Sequence, residues 1–138
     1  MYRRVVTADT DAAALDDLFT RLLHTEDDAL RAARDTATDA GMPPIEVSAQ
    51  HAKLLSLLVR MSGARRVLEI GTLAGYSTIA LARAVGADGE VVSLEHDPAH
   101  AELCDIHAAS TVAGQPHEVK AHAEFGNPEV EIKRALAL

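Results

Sequence analysis

Val67-Leu68-Glu69-Ile70-Gly71-Thr72-Leu73-Ala74-Gly75-Tyr76-Ser77 is the stretch on which the reading of the fold turns. The apolar run 67–70, closed by a glycine, has the pattern of a strand buried in a parallel sheet. Gly71 lets the backbone turn sharply at the strand end, and Gly75 lets the loop come close to a ligand. Ile79, Leu81, Ala82 and Val85 continue at helical spacing as far as Gly86, Val91–Leu94 is a second apolar run, and Asp97-Pro98 supplies an N-cap and an N1 proline. Residues 65–113 therefore read β-α-β-α, which implies a parallel sheet with right-handed crossovers.

Outward from this unit, the N-terminal side reads as helices. Leu15, Leu18, Phe19, Leu22 and Leu23 mark one apolar face of a helix over 9–23. Thr25 with Asp28 resembles a capping box opening a second helix that runs to Gly41, polar enough to lie on the surface. Met42-Pro43-Pro44-Ile45 is extended, because each proline disfavours α geometry in its predecessor. Ser48 caps a third helix closed by Gly63, with Leu54, Leu55, Leu58 and Met61 as its expected buried stripe. On the C-terminal side, Gly114-Gln115-Pro116 is a turn, 117–122 a candidate third strand, and Asn127-Pro128-Glu129 a candidate helix start.

Composition bounds the function. The 138 residues fit one domain, with 48% hydrophobic but only 3% aromatic residues, so Leu, Val, Ile and Ala must build the core. A net charge of −8 argues against binding a nucleic-acid backbone. The single Cys104 excludes an internal disulfide and suits a reducing, cytoplasmic setting. Met1-Tyr2-Arg3-Arg4 is followed by Thr7, Asp9 and Asp11 rather than an apolar segment, so no secretory signal is expected. No apolar run nears the ~18 residues of a membrane span. No Gly-x-Ser-x-Gly elbow supports a hydrolase of that type.

The candidate chemistry lies in Glu69, Ser77 and Glu95. Amides at the start of the helix after the glycine loop, with the Ser77 hydroxyl, suit a carboxylate. Glu69 at the strand end suits an ammonium group or polarises the loop. The two together describe a zwitterionic amino-acid end. A dinucleotide is disfavoured, since Leu73 stands where the second glycine of Gly-x-Gly-x-x-Gly belongs. Glu95 ends the second strand 26 residues beyond Glu69, where an acid bonds ribose hydroxyls in doubly wound folds. An amino-acid pocket joined to a ribose acid describes S-adenosylmethionine. The bland alternatives are a surface carboxylate for Glu69 and a helix N-terminal charge for Glu95. Tyr76 is expected to close over the loop or to pack beside the glycine turn. His100, Cys104 and His107, with His96 upstream, have a spacing that zinc can use, though a solvated helix face with Cys104 turned partly inward explains them better. His51 is a distant candidate base.

Gly41-Met42-Pro43-Pro44-Ile45-Glu46-Val47-Ser48, then Leu54-Leu55, Gly63-Ala64-Arg65-Arg66 and 67–72, then Gly75-Tyr76-Ser77, resembles the cation-dependent O-methyltransferases of the catechol and caffeoyl-CoA type over residues 10–103. The resemblance implies an α/β, Rossmann-like methyltransferase fold with N-terminal helices. By position it implies that Val47 lines the methionine end of the cofactor, that Glu69, Gly71 and Thr72 form its loop, that Ser77 holds its carboxylate and that Glu95 holds its ribose. It further implies a small catechol-like acceptor, a divalent cation such as Mg²⁺, and a possible homodimer. It gives no reason to expect nucleic acid or membrane as partner.

The chain departs from that pattern after Leu103. The Asp-x-Asp-Lys-like element and the Asp-Asn pair that would hold the metal are missing, and Glu118, Glu124, Glu129 and Glu131 show no octahedral pattern. Catalytic and metal residues are therefore unassigned. The expectation is a single domain, with residues 1–64 as helical extension, 65–113 as cofactor unit and 114–138 as a diverged, frame-shifted or truncated tail on a shortened sheet. The rival to an enzyme is a catalytically incomplete cofactor-binding or dimerisation module.

Overall fold

The computed structural model describes residues 12–23, 26–111 and 119–122. Its elements are α1 (Ala12–Leu23), α2 (Asp28–Asp39), α3 (Ala49–Ser62), β1 (Arg66–Ile70), α4 (Tyr76–Val85), β2 (Glu90–Leu94), α5 (Pro98–Thr111) and β3 (Val119–His122). The three strands form one parallel sheet in the order β1-β2-β3, with Val67 opposite Val91 and Val91 opposite Val119. This is the parallel α/β sheet that the β-α-β-α pattern predicts, and it agrees with the Rossmann-like fold that the resemblance implies.

Local chemistry sets the element ends. Ser48 caps α3 by accepting from the His51 amide, and Gly63 closes it in the left-handed region at φ 65°. Asp97 accepts from the Ala99 amide at 2.9 Å at the start of α5. The cap of α2 is Asp27, whose side chain accepts from the Leu30 amide. It takes the place expected for Thr25, which lies outside the described residues together with the expected first turn before Ala12, the Gly114-Gln115-Pro116 turn, the Asn127 helix start and the four tail glutamates.

Packing corrects three expectations. First, α2 is more than a surface helix: Leu30, Ala33 and Ala37 are buried beneath its charged outer face. Second, of the stripe expected on α3 only Leu55 packs against the core, and it is half-buried. Leu54 and Leu58 are each 52% exposed and Met61 82%, whereas Ala49 and Ala52 are buried. Small residues let α3 approach α4 so closely that the Ser56 hydroxyl donates to the Ala80 carbonyl at 3.1 Å. The apolar face of α1 is likewise open at Leu18, Phe19, Leu22 and Leu23. Third, β1 is half-buried where β2 is almost wholly buried, because β1 has a strand partner on one side alone among the described residues.

One core cluster joins Leu30, Ala33 and Ala52 to Tyr76, Ile79 and Ala80, with Val47 packed against it. A second joins Leu81, Ala82, Val85 and Val91, with Leu55, Val59 and Val67 alongside. Together they fix α4 between the helical layer and the sheet, and α4 carries the glycine loop at its N-terminus. No described helix is long and apolar enough to cross a membrane.

Candidate functional site

The loop between β1 and α4 is shaped by glycine conformations and by one carboxylate. Gly71 has φ +85°, and a Cβ at this position would meet no atom within 4 Å, so only its backbone conformation demands glycine. Its amide extends the ladder to the Leu94 carbonyl at 2.7 Å. Leu73 follows in the left-handed region at φ 50°, a conformation that costs a residue with a Cβ roughly 1 kcal/mol. Gly75, at φ +88°, has a second reason to be glycine, since a Cβ would lie 3.1 Å from Cys104 Sγ. Gly75 thus serves the packing of the loop on α5.

Glu95 holds this loop in place. Its Oε2 accepts the amides of Thr72 at 2.9 Å and Leu73 at 3.0 Å, and its Oε1 accepts those of His96 at 2.7 Å and Asp97 at 3.0 Å. Burial opposes ionisation of Glu95, but these four N–H donors prevail and hold its carboxyl below the ordinary value. The side chain joins the loop after β1 to the turn after β2.

Glu69 is equally well held. Ser77 Oγ donates to Oε1 at 2.6 Å, Ser93 Oγ donates to Oε2 at 2.6 Å, and Thr78 Oγ1 donates to Oε2 as well. Tyr76 does not fold over the loop. Its ring is buried against α2 with the Arg34 guanidinium 4.6 Å from the ring centre, and its hydroxyl donates to Glu26. Burial, reinforced by Glu26 and opposed by Arg34, pushes the Tyr76 phenol well up. Arg34 bridges Glu26 at 2.6 Å and Glu46 at 3.3 Å.

A cavity of about 530 Å³ opens between the loop, the turn after β2 and the 45–47 segment. Val47, Gly71, Thr72, Tyr76, Ser77 and Glu95 line it, and Glu69 adjoins it through its hydrogen bond from Ser77. Ile45, Glu46, His96, Asp97 and His100 line it too. Their signal in the sequence was adjacency: two follow Glu95 directly, and two precede Val47. His100 brings its ring nitrogens to 4.0 Å from Glu95 Oε1 and 3.9 Å from Asp97 Oδ2.

The other candidates fall elsewhere. Cys104 is fully buried and its Sγ sits 3.6 Å from Thr78 Oγ1, so it turns away from a zinc-binding helix face. The His107 side chain lies outside the described residues. Among the described residues no three His, Cys, Asp or Glu side chains come together to hold a metal ion. His51 is exposed, 3.3 Å from Ser48 Oγ, and borders a different cavity between α1 and α3.

Comparison with known proteins follows the same lines. Residues 23–124 match the O-methyltransferase family. The match runs through residues 104–124, including β3, where the sequence pattern alone showed no kinship. A catechol O-methyltransferase of Niastella koreensis is 49% identical over 90 residues, which is 65% of this chain and 41% of that protein. The O-methyltransferase from Bacillus cereus in complex with SAH superposes with a TM-score of 0.77 at 33% identity, covering 91% of this chain and 55% of that one. An O-methyltransferase from Streptomyces achromogenes involved in tomaymycin synthesis, in complex with SAM, gives 0.75 at 37% identity over 89% and 53%. The chain thus spans about half the length of the proteins it matches.

Proposed function

The chain belongs to the O-methyltransferase family, and from that premise we propose that its cavity binds S-adenosylmethionine for methyl transfer to a hydroxyl of a small, catechol-like acceptor. The observation that carries the reading is that one cavity joins Ser77, backed by Glu69, to the buried carboxylate of Glu95. That pairing suits a ligand with an amino acid at one end and a nucleoside at the other. The volume of about 530 Å³ lies inside the range of roughly 300–1,000 Å³ for small-molecule sites. The solved relatives in complex with SAH and SAM support the cofactor, and the catechol O-methyltransferase relative supports the acceptor class.

The bound sulfonium supplies an electrophilic methyl group. The chain's own part is to bind and orient. Ser77 and the first amides of α4 receive the carboxylate end, where the helix dipole favours negative charge. Glu69 receives the ammonium, and Glu95 fixes the loop that bounds the nucleoside end. Val47, packed on the Leu30–Tyr76 core cluster, gives an apolar wall that keeps water from the sulfonium end. Such positioning accounts for much of the rate in a two-substrate displacement. The Mg²⁺ that the resemblance implies finds no fitting ligand set among the described residues.

Calorimetry with S-adenosylmethionine tests the reading. Saturable binding that Glu95→Ala weakens, with methylation of a catechol in the same sample, is expected. A folded sample that gives no heat at millimolar cofactor overturns it. Binding without transfer to any vicinal diol leaves the cofactor assignment standing and overturns the enzymatic one.

A further inference from the structure

Glu69 is a meeting point for three hydroxyl groups from two elements. Ser93 and Thr78, which donate to Oε2, are both 0% exposed. Ser93 lies directly opposite Glu69 in the β1–β2 register, and Thr78 also takes up Cys104 Sγ at 3.6 Å. Ser77, which donates to Oε1, lines the cavity. An ionised carboxylate accepts and never donates, so all three hydroxyl protons point at Glu69.

The two oxygens of Glu69 therefore differ. Oε2 is anchored from within by two buried hydroxyls, while Oε1 is shared with a residue on the cavity surface. We infer that Ser93 and Thr78 are positioning residues that lock Glu69 to receive the ammonium of an amino-acid-bearing nucleoside, once Ser77 turns its proton to that ligand's carboxylate. The inference rests on the cofactor reading above. In the exchange the Ser77 O–H leaves Oε1 and bonds the ligand carboxylate, and an ammonium N–H takes its place on Oε1. No bond is broken covalently, and both charged ends of the ligand become paired in charge-assisted contacts. A free glutamate surrenders rotamer freedom when it binds. One already held at Oε2 has surrendered it on folding, so the ligand meets a prepared acceptor.

Two ligands separate this role from simple support of the fold. S-adenosylhomocysteine carries the amino-acid end; 5′-methylthioadenosine has the same nucleoside thioether without it. Ser93→Ala and Thr78→Val each remove one hydroxyl from Oε2, and Thr78→Ser keeps it. Calorimetry on the whole chain is expected to show S-adenosylhomocysteine weakened about tenfold by either hydroxyl-removing variant, with 5′-methylthioadenosine changed less than about twofold. Thr78→Ser is expected to bind both ligands like the wild type. Equal weakening of the two ligands, or no weakening of either, overturns the inference while leaving the cofactor reading intact. A wild-type chain that binds neither ligand overturns the cofactor reading itself and the inference with it. Circular dichroism checks each variant, and if Ser93→Ala fails to fold, Thr78→Val against Thr78→Ser decides alone.

Discussion

Replacing Glu95 by alanine is expected to loosen the site more than any other single change in the loops. The carboxylate serves four backbone amides, those of Thr72, Leu73, His96 and Asp97. Thr72 is 3% exposed, and a buried amide left without an acceptor costs about 1–3 kcal/mol. The other three amides can find water, so each loses about 1 kcal/mol. The sum is about 4–6 kcal/mol, a large share of the roughly 5–15 kcal/mol that holds an ordinary domain together. Urea unfolding followed by circular dichroism reads the difference, and Glu95→Gln, which keeps one acceptor oxygen, should fall between. The effect has a pH signature. The folded carboxyl is held below its ordinary value of 4.5, so the contribution is full above 4.5 and lost as pH falls through the folded value. The gap between wild type and Glu95→Ala should close in acid. A cost below about 1 kcal/mol, or a gap that persists unchanged in acid, refutes the reasoning.

Tyr76→Phe removes the donor to Glu26 and should cost about 1 kcal/mol at neutral pH. Because the folded phenol lies above its ordinary value of 10.0, wild-type stability should decline as pH rises past that value; an equal decline in Tyr76→Phe would speak against the Tyr76–Glu26 bond. Gly75→Ala meets both a left-handed backbone and Cys104 Sγ at 3.1 Å, whereas Gly71→Ala meets the backbone alone. Thermal melts should therefore rank Gly75→Ala as costing about 2–3 kcal/mol against about 1 kcal/mol for Gly71→Ala, and equal costs would remove Cys104 from the explanation. The homodimer that the resemblance implies needs an apolar face, and we propose that Leu54, Leu58 and Met61, exposed on α3, supply it. Sedimentation should show concentration-dependent association that Leu58→Lys abolishes; a wild type that stays monomeric at every concentration would refute this.

What the sequence discloses and what it hides follow from the range of the forces involved. The β1–α4 loop is legible because its constraints are local. A glycine that needs positive φ, a strand that needs apolar residues and a helix that needs a cap all act within a few positions. The leucine stripe of α3 was legible as apolar but not as covered, since periodicity identifies a face without saying what meets it. The choice went to Ala49, Ala52 and Ser56, because a helix that donates Ser56 Oγ to the Ala80 carbonyl needs small side chains at the contact. The network of Glu26, Arg34, Glu46 and Tyr76 spans 50 positions between Glu26 and Tyr76, and no spacing rule reaches that far. Glu69 shows the boundary within a single residue. Its place at the strand end was readable from the run 67–70, and so was its role beside Ser77 at an amino-acid end, whereas the bond between the two was not. Its anchoring by Ser93 depends on the strand register that sets position 69 against position 93. Register is decided when β2 buries both of its faces, which makes the acid's neighbours a property of the sheet rather than of the motif. A glycine-loop motif can therefore announce a ligand's chemistry while leaving the residues that prepare its acid to be found in the adjoining strand.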